Sequence, residues 1–231
     1  MLTTEPLLTT LRAWPGSFNG FHMGSEGSNA KVSHGRAVTF AWGTCALLMA
    51  FAVFLRCYNL DEFPTFIHND ESAQAIYVVP PFFTEKPDSP MWGFNNFGRH
   101  ANFGPWLTSL SVRWFGGQTL FAIRLGAAIC GILSIVFFSL FVRSWLGLQT
   151  TIFFLAAVAP FHLHVFYSRT GFSYIQAATF GALVSWLFGR VVRVPSIKNA
   201  ALLGVGLGFA LMVYSATFVI PVALAVGLGA F

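Results

Sequence analysis

Ala37-Val-Thr-Phe-Ala-Trp-Gly-Thr-Cys-Ala-Leu-Leu-Met-Ala-Phe-Ala-Val-Phe-Leu55 carries no charge over 19 residues. As a helix that length crosses the roughly 30 Å hydrocarbon layer of a bilayer. It also exceeds the roughly 7–15 residues of a signal-peptide core, and the residues before it lack a basic n-region, so it reads as a first transmembrane helix retained in the protein. The whole chain agrees with that reading. Its 231 residues are 55% hydrophobic and only 9% charged, with a mean hydropathy of +0.67, far more apolar than the roughly 45–50% of a soluble domain.

Outward from this run, residues 1–36 are polar and rich in Gly, Ser and Thr, and read as an N-terminal tail. Residues 37–231 read as one transmembrane module. Between 56 and 120 no apolar run is long enough to span, and six of the eight acids and six of the eleven prolines fall there. Irregular backbone is not tolerated against lipid, which puts 56–120 outside the hydrocarbon. Within it, Asn69 or Asp70 is expected to cap a short helix running towards Val79 and stopped by Pro80-Pro81. A second helix is expected from Pro105 to Gly117, with Trp106, Leu110, Arg113 and Trp114 along one side, lying in the membrane interface. Further spans are expected at 121–142, at 150–161 with a break near Pro160, at 172–188 and at 199–213, and apolar sequence resumes at 218–231. The expected fold is an all-α integral membrane protein with five to six transmembrane helices plus two outer-face juxtamembrane helices.

Charge sets the orientation. Arg190, Arg193 and Lys198 fill the loop between the fourth and fifth spans without an acid, and Arg12, Lys31 and Arg36 precede the first span. The crossings bring both groups to one side, and the positive-inside rule makes that side cytoplasmic. The expectation is a multi-pass protein of the cell (inner) membrane, N-terminus cytoplasmic, with 56–120 on the outer side. Basic residues scattered singly form no stripe for nucleic acid; membrane lipids are the expected partners. Cys45, Cys57 and Cys130 have no metal-ligand spacing and read as small hydrophobes.

Chemistry starts from Asp70-Glu71, because no acidic residue follows Asp88. The outer face also collects Arg99-His100, His162 and His164, Ser168-Arg169, and Arg124 at the mouth of the second span. A carboxylate among guanidiniums at a membrane surface suits a lipid-linked phosphate, with Asp as general base and Arg as a bidentate phosphate ligand. The same residues have plain readings. Asp70 and Glu71 are what a helix N-terminus favours anyway, Arg124 and Arg169 snorkel to headgroups equally well, and His162 and His164, two apart, do not share a helical face for a metal. His100 is either a ligand or a cap.

Arg56-Cys-Tyr-Asn-Leu60-Asp-Glu-Phe-Pro64 followed by His68-Asn-Asp70-Glu71 resembles the start of the first outer loop of GT-C membrane glycosyltransferases, the superfamily of protein O-mannosyltransferases and lipid A aminoarabinose transferases. The likeness continues in order through Asn102-Phe-Gly-Pro105-Trp-Leu, Trp114-Phe-Gly116, Ala122-Ile-Arg124-Leu, Ala159-Pro160 to Ser168-Arg169, and Gly204 to Tyr214. It covers roughly residues 52–222. The resemblance implies a polyprenyl-phosphate-sugar donor and inverting glycosyl transfer on the outer face, with Asp70 as base or as ligand of a divalent cation and Glu71 in support. Arg124, Arg169 and Arg99 are the candidates for the donor phosphate. Two departures stand out. Phe172-Ser173-Tyr174 occupies the place where some branches carry a further acid, and family enzymes have about twice as many spans, so the chain resembles their N-terminal portion. The alternative expectation is a shortened, non-catalytic relative acting as a small membrane subunit of a larger assembly, energy-transducing or photosynthetic, with other membrane subunits as partners.

Overall fold

The computed structural model describes the backbone of residues 28–78, 101–115, 117, 119–171 and 173–229. The chain divides into two units, Met1–Phe40 and Ala41–Phe231, and the second carries the architecture. Its elements are all helical among the described residues. Helix α1 is Ser28–Cys57; α2 is Asn69–Ala73, continued by one π-helical turn, Gln74–Val78; α3 is Phe103–Trp114; α4 is Leu120–Val158. Then come α5, His162–Arg169, α6, Tyr174–Arg193, α7, Ile197–Leu211, a 3-10 turn, Ser215–Phe218, and α8, Val219–Gly229. Three of these, 38–57 of α1 together with α4 and α6, are long and apolar enough to cross a membrane, and two shorter apolar helices follow. The chain is an all-α, multi-pass membrane protein.

The 39 residues of α4 would run about 58 Å if straight, roughly twice the hydrocarbon thickness. They do not run straight. Gly147 interrupts the helix with φ 87° and ψ 179°, a region open essentially to glycine alone. The consequence is a hairpin: Ile135 and Leu155, twenty positions apart, meet in one buried cluster with Cys45, Ala52 and Ala159. The two limbs, 120–146 and 148–158, correspond to two of the spans expected from sequence. Gly147→Ala should therefore destabilise the protein by about 1–3 kcal/mol through backbone strain alone, because a Cβ there meets no neighbour. A lowered unfolding midpoint in detergent, with secondary structure retained, is the expected measurement.

The packing contacts define two ends. At one end Asp70 of α2 meets Tyr174, the first residue of α6, and Glu71 meets Arg124 in the first limb of α4. At the other, Arg143 stacks on Trp42 and Arg193 on Trp145. Helix α6 lies along α4 through the Thr179 hydroxyl, which donates to the Cys130 carbonyl at 2.7 Å, and α7 lies along α6 where Gly206 admits Leu187 and Val184. Burial inside an apolar protein here uses small and hydroxylated residues, as membrane helix interfaces do.

Helix α3 buries the side opposite the stripe named from sequence: Phe103, Gly104, Pro105, Thr108, Ser109, Ser111 and Val112. Ser111 donates to the Ala122 carbonyl at 2.6 Å, and the Gln176 amide of α6 donates to the Gly104 carbonyl and to Thr108, each at 3.1 Å. Trp114, 72% exposed, is left on the outside as the sequence suggested.

Candidate functional site

Three fully or nearly buried arginines build the frame around Asp70 and Glu71. Arg56, the second-to-last residue of α1, is 0% exposed. Its Nη1 donates to the carbonyls of Ala52 (2.9 Å) and Ala159 (3.1 Å), and its Nη2 to Val158 O (3.3 Å). A helix leaves its last carbonyls without partners, and Pro160 cannot continue the α4 ladder; Arg56 supplies the missing donors from another helix. Arg169, at the end of α5, does the same for α1: Nη1 donates to Leu55 O (2.8 Å), and Nη2 to Tyr58 O (2.6 Å), Asn59 O (3.2 Å) and Phe63 O (3.0 Å). Arg124 gathers the loop beyond, through Leu60 O (2.9 Å), Pro64 O (3.1 Å) and Phe66 O (3.3 Å). The connection from α1 to α2 has no ladder of its own, and these guanidiniums satisfy its carbonyls.

Glu71 completes the frame. Its Oε1 accepts from Arg124 Nε at 2.8 Å and from the Gly171 backbone N–H at 2.9 Å, and its Oε2 accepts from Arg124 Nη2 at 3.2 Å. Both partners of the ion pair are 0% exposed. With Nε on Glu71, Nη1 on two carbonyls and Nη2 on Phe66 and Glu71, all five N–H groups of Arg124 are engaged within the protein.

Asp70 faces the other way. Its side chain is 48% exposed, and its Oδ2 accepts from the Tyr174 hydroxyl at 2.9 Å. The Tyr174 ring meets Tyr167 and Tyr214 edge to face, with centroids 5.7 and 5.1 Å apart. Local sequence explains the divergence: consecutive residues at a helix start point about 100° apart, so one carboxylate reaches the α4 side and its neighbour the surface. The cap itself is His68, not Asn69 or Asp70; its Nδ1 accepts from the Asp70 backbone N–H at 3.2 Å.

His164 belongs to the frame and His162 does not. His164 Nδ1 lies 2.9 Å from Arg56 Nη2, and its Nε2 lies 2.8 Å from Ser134 Oγ, which itself donates to the Gly131 carbonyl. Those partners assign the neutral tautomer with the proton on Nε2. Burial, reinforced by the Arg56 charge, pushes its pKa down to about 4. His162 sits exposed at the start of α5. Burial and the nearby Arg124 charge also lower Arg169. Because the unfolded chain protonates His164 near pH 6.5 and the folded chain only near 4, the unfolded state binds the extra proton between those values. Stability is therefore lost as the pH falls through that window. His164→Gln should flatten the melting-temperature profile in detergent between about pH 6.5 and 4.

Arg99 and His100 lie outside the described residues. Tyr174 and Tyr214 went unnoticed as a pair; both stood in the sequence, Tyr174 at the place of an acid in some GT-C branches and Tyr214 at the end of the Gly204 element, but 40 positions separate them. Among the described residues no three His, Cys, Asp or Glu side chains come together to hold a metal.

A family model described as dolichyl-phosphate-mannose-protein mannosyltransferase matches residues 99–230. It takes in Arg124, Arg169, Tyr174 and Tyr214 and begins after Asp70 and Glu71. No curated protein and no solved structure matches the chain.

Proposed function

Because the chain belongs to the dolichyl-phosphate-mannose-protein mannosyltransferase family of GT-C membrane proteins, we propose that it takes part in glycosyl transfer from a polyprenyl-phosphate sugar, with Asp70 as the catalytic base. The observation that carries the reading is the division of labour within the acidic pair. Glu71 is spent on Arg124, whereas Asp70 is half exposed, anchored by one oxygen on Tyr174, and no donor among the described residues reaches its Oδ1. In the proposed step the acceptor hydroxyl gives its proton to Asp70 as its oxygen bonds to the anomeric carbon, and the polyprenyl phosphate departs with the electrons of the broken C–O bond.

The phosphate finds an electropositive setting. Among the described residues the buried arginines Arg56, Arg124 and Arg169 are accompanied by one buried carboxylate, Glu71, which pairs with Arg124, and this excess of positive charge favours an anion at the frame's surface. Arg124 and Arg169 act on it mainly as fixed charges, since their donors hold backbone carbonyls and Glu71. We place this end on the outer side. Arg143, Arg190, Arg193 and Lys198 gather at the opposite end, which the positive-inside rule makes cytoplasmic.

The test is transfer from a polyprenyl-phosphate sugar by the reconstituted chain and by Asp70→Asn. Loss of transfer with a retained fold is the expected result. Transfer by Asp70→Asn at an unchanged rate would sink Asp70 as the base, whereas no transfer by the wild-type chain would favour a membrane subunit without this chemistry.

A further inference from the structure

At the end remote from Asp70, α1 and the two limbs of α4 enclose a crevice of about 280 Å³. Trp42, Cys45, Ala46 and Met49 form one wall, Val136, Ser139, Leu140 and Arg143 the second, and Leu148, Thr151 and Leu155 the third. It is apolar within and has a cation at the rim. The Arg143 guanidinium lies 4.0 Å over the Trp42 ring, and its residue is exposed. The four acidic residues of the described segments, Asp61, Glu62, Asp70 and Glu71, all belong to the connection and helix at the opposite end, so none of them serves as its counter-charge.

Ser139 supplies a second, independent pointer. The other hydroxylated residues of α4 follow the habit of membrane helices and donate to a carbonyl in the preceding turn: Ser134 to Gly131, Ser144 to Phe141, Thr150 to Leu146 and Thr151 to Gly147. Ser139 is 9% exposed, lines the crevice, and its Oγ has no partner. A buried hydroxyl without an acceptor is costly. An acceptor delivered into the crevice removes that cost. Ser139 and Arg143 are four residues apart on one helical face, roughly 6 Å along the axis, with Val136 deeper still. The order from rim to interior is cation, hydroxyl donor, apolar wall.

That order matches one molecule end to end. We propose that this crevice is a binding site for an anionic diacyl phospholipid, its phosphate on Arg143, an ester carbonyl accepting from Ser139 Oγ, and one acyl chain between α1 and α4. The neighbouring pairs at this end fit the same environment: Arg190 stacks on Trp186 and Arg193 on Trp145, each at 5.2 Å, giving a rim of tryptophans and cations at headgroup depth with no described acid among them. The crevice differs from this rim in having an interior.

The experiment is native mass spectrometry of the full chain, released from detergent after equilibration with phosphatidylglycerol and phosphatidylcholine of identical acyl chains. Wild type should retain one phosphatidylglycerol in preference to phosphatidylcholine by roughly fivefold, the factor corresponding to about 1 kcal/mol for one basic side chain at an anionic headgroup. Arg143→Gln should bring the two lipids level. Ala46→Phe, which fills the crevice, should remove the retained lipid of either kind, while Arg190→Gln, on the rim alone, should leave the preference intact. Equal retention of both lipids by wild type, an undiminished preference in Arg143→Gln, or displacement of phosphatidylglycerol by an equimolar polyprenyl phosphate would each overturn the assignment.

Discussion

Glu71→Gln should lower the stability of the protein by about 3–5 kcal/mol, because it leaves the Arg124 charge buried without a counter-charge. Both side chains are 0% exposed, and the carboxylate makes three contacts, two from Arg124 and one from the Gly171 backbone. Arg124→Met should cost a similar amount for a different reason. It strands Glu71 and also removes the donors held by Leu60, Pro64 and Phe66. A Glu71→Leu/Arg124→Met double variant separates the two effects. If the ion pair were the whole contribution, replacing both charges by apolar groups would restore most of the loss. Three loop carbonyls would still lack partners, at about 1–3 kcal/mol for each one left buried and unmet. The double variant should therefore recover only part of the wild-type unfolding midpoint in detergent. Full recovery would show that Arg124 does not organise the loop.

Much of the fold could be read from the sequence because a bilayer reduces the question to length and polarity. The first span, the two limbs of α4 and α6 to α8 all announce themselves as apolar runs, and the break between 142 and 150 is where Gly147 turns the helix back. What could not be read was which small polar residues face inwards. On α3 the sequence marked Trp106, Leu110, Arg113 and Trp114 as one side for the interface, but nothing in it marked Gly104, Thr108 and Ser111 on the opposite side as buried. The site divides in the same way. Asp70-Glu71 was conspicuous as an acidic pair in a chain with so few charges, whereas the fact that the two point apart depends on Arg124 and Tyr174, 53 and 104 positions away. Likewise Arg169 stood out as a charge and Arg56 only as part of a motif; their buried work on the carbonyls of other helices has no local signature.

Asp70→Asn should abolish transfer by roughly 10²–10⁴-fold, the range for a positioned general base, while leaving the fold unaltered. The substitution keeps the shape, and its amide oxygen still accepts from the Tyr174 hydroxyl, so the contact at 2.9 Å survives. What it removes is the capacity to take a proton. Tyr174→Phe makes the complementary change: the carboxylate remains but loses its anchor, and a positioning role predicts a fall in kcat with transfer still measurable. Taken with Glu71→Gln, the three variants discriminate between readings of the pair. Asp70→Asn should lose activity at wild-type stability, and Glu71→Gln should lose both together, because Gly171 and Arg124 are released with it. If instead Asp70→Asn lowered the unfolding midpoint as much as Glu71→Gln while transfer persisted, the two acids would be equivalent struts of one helix start. The half-exposed carboxylate beside Tyr174 would then have no catalytic part.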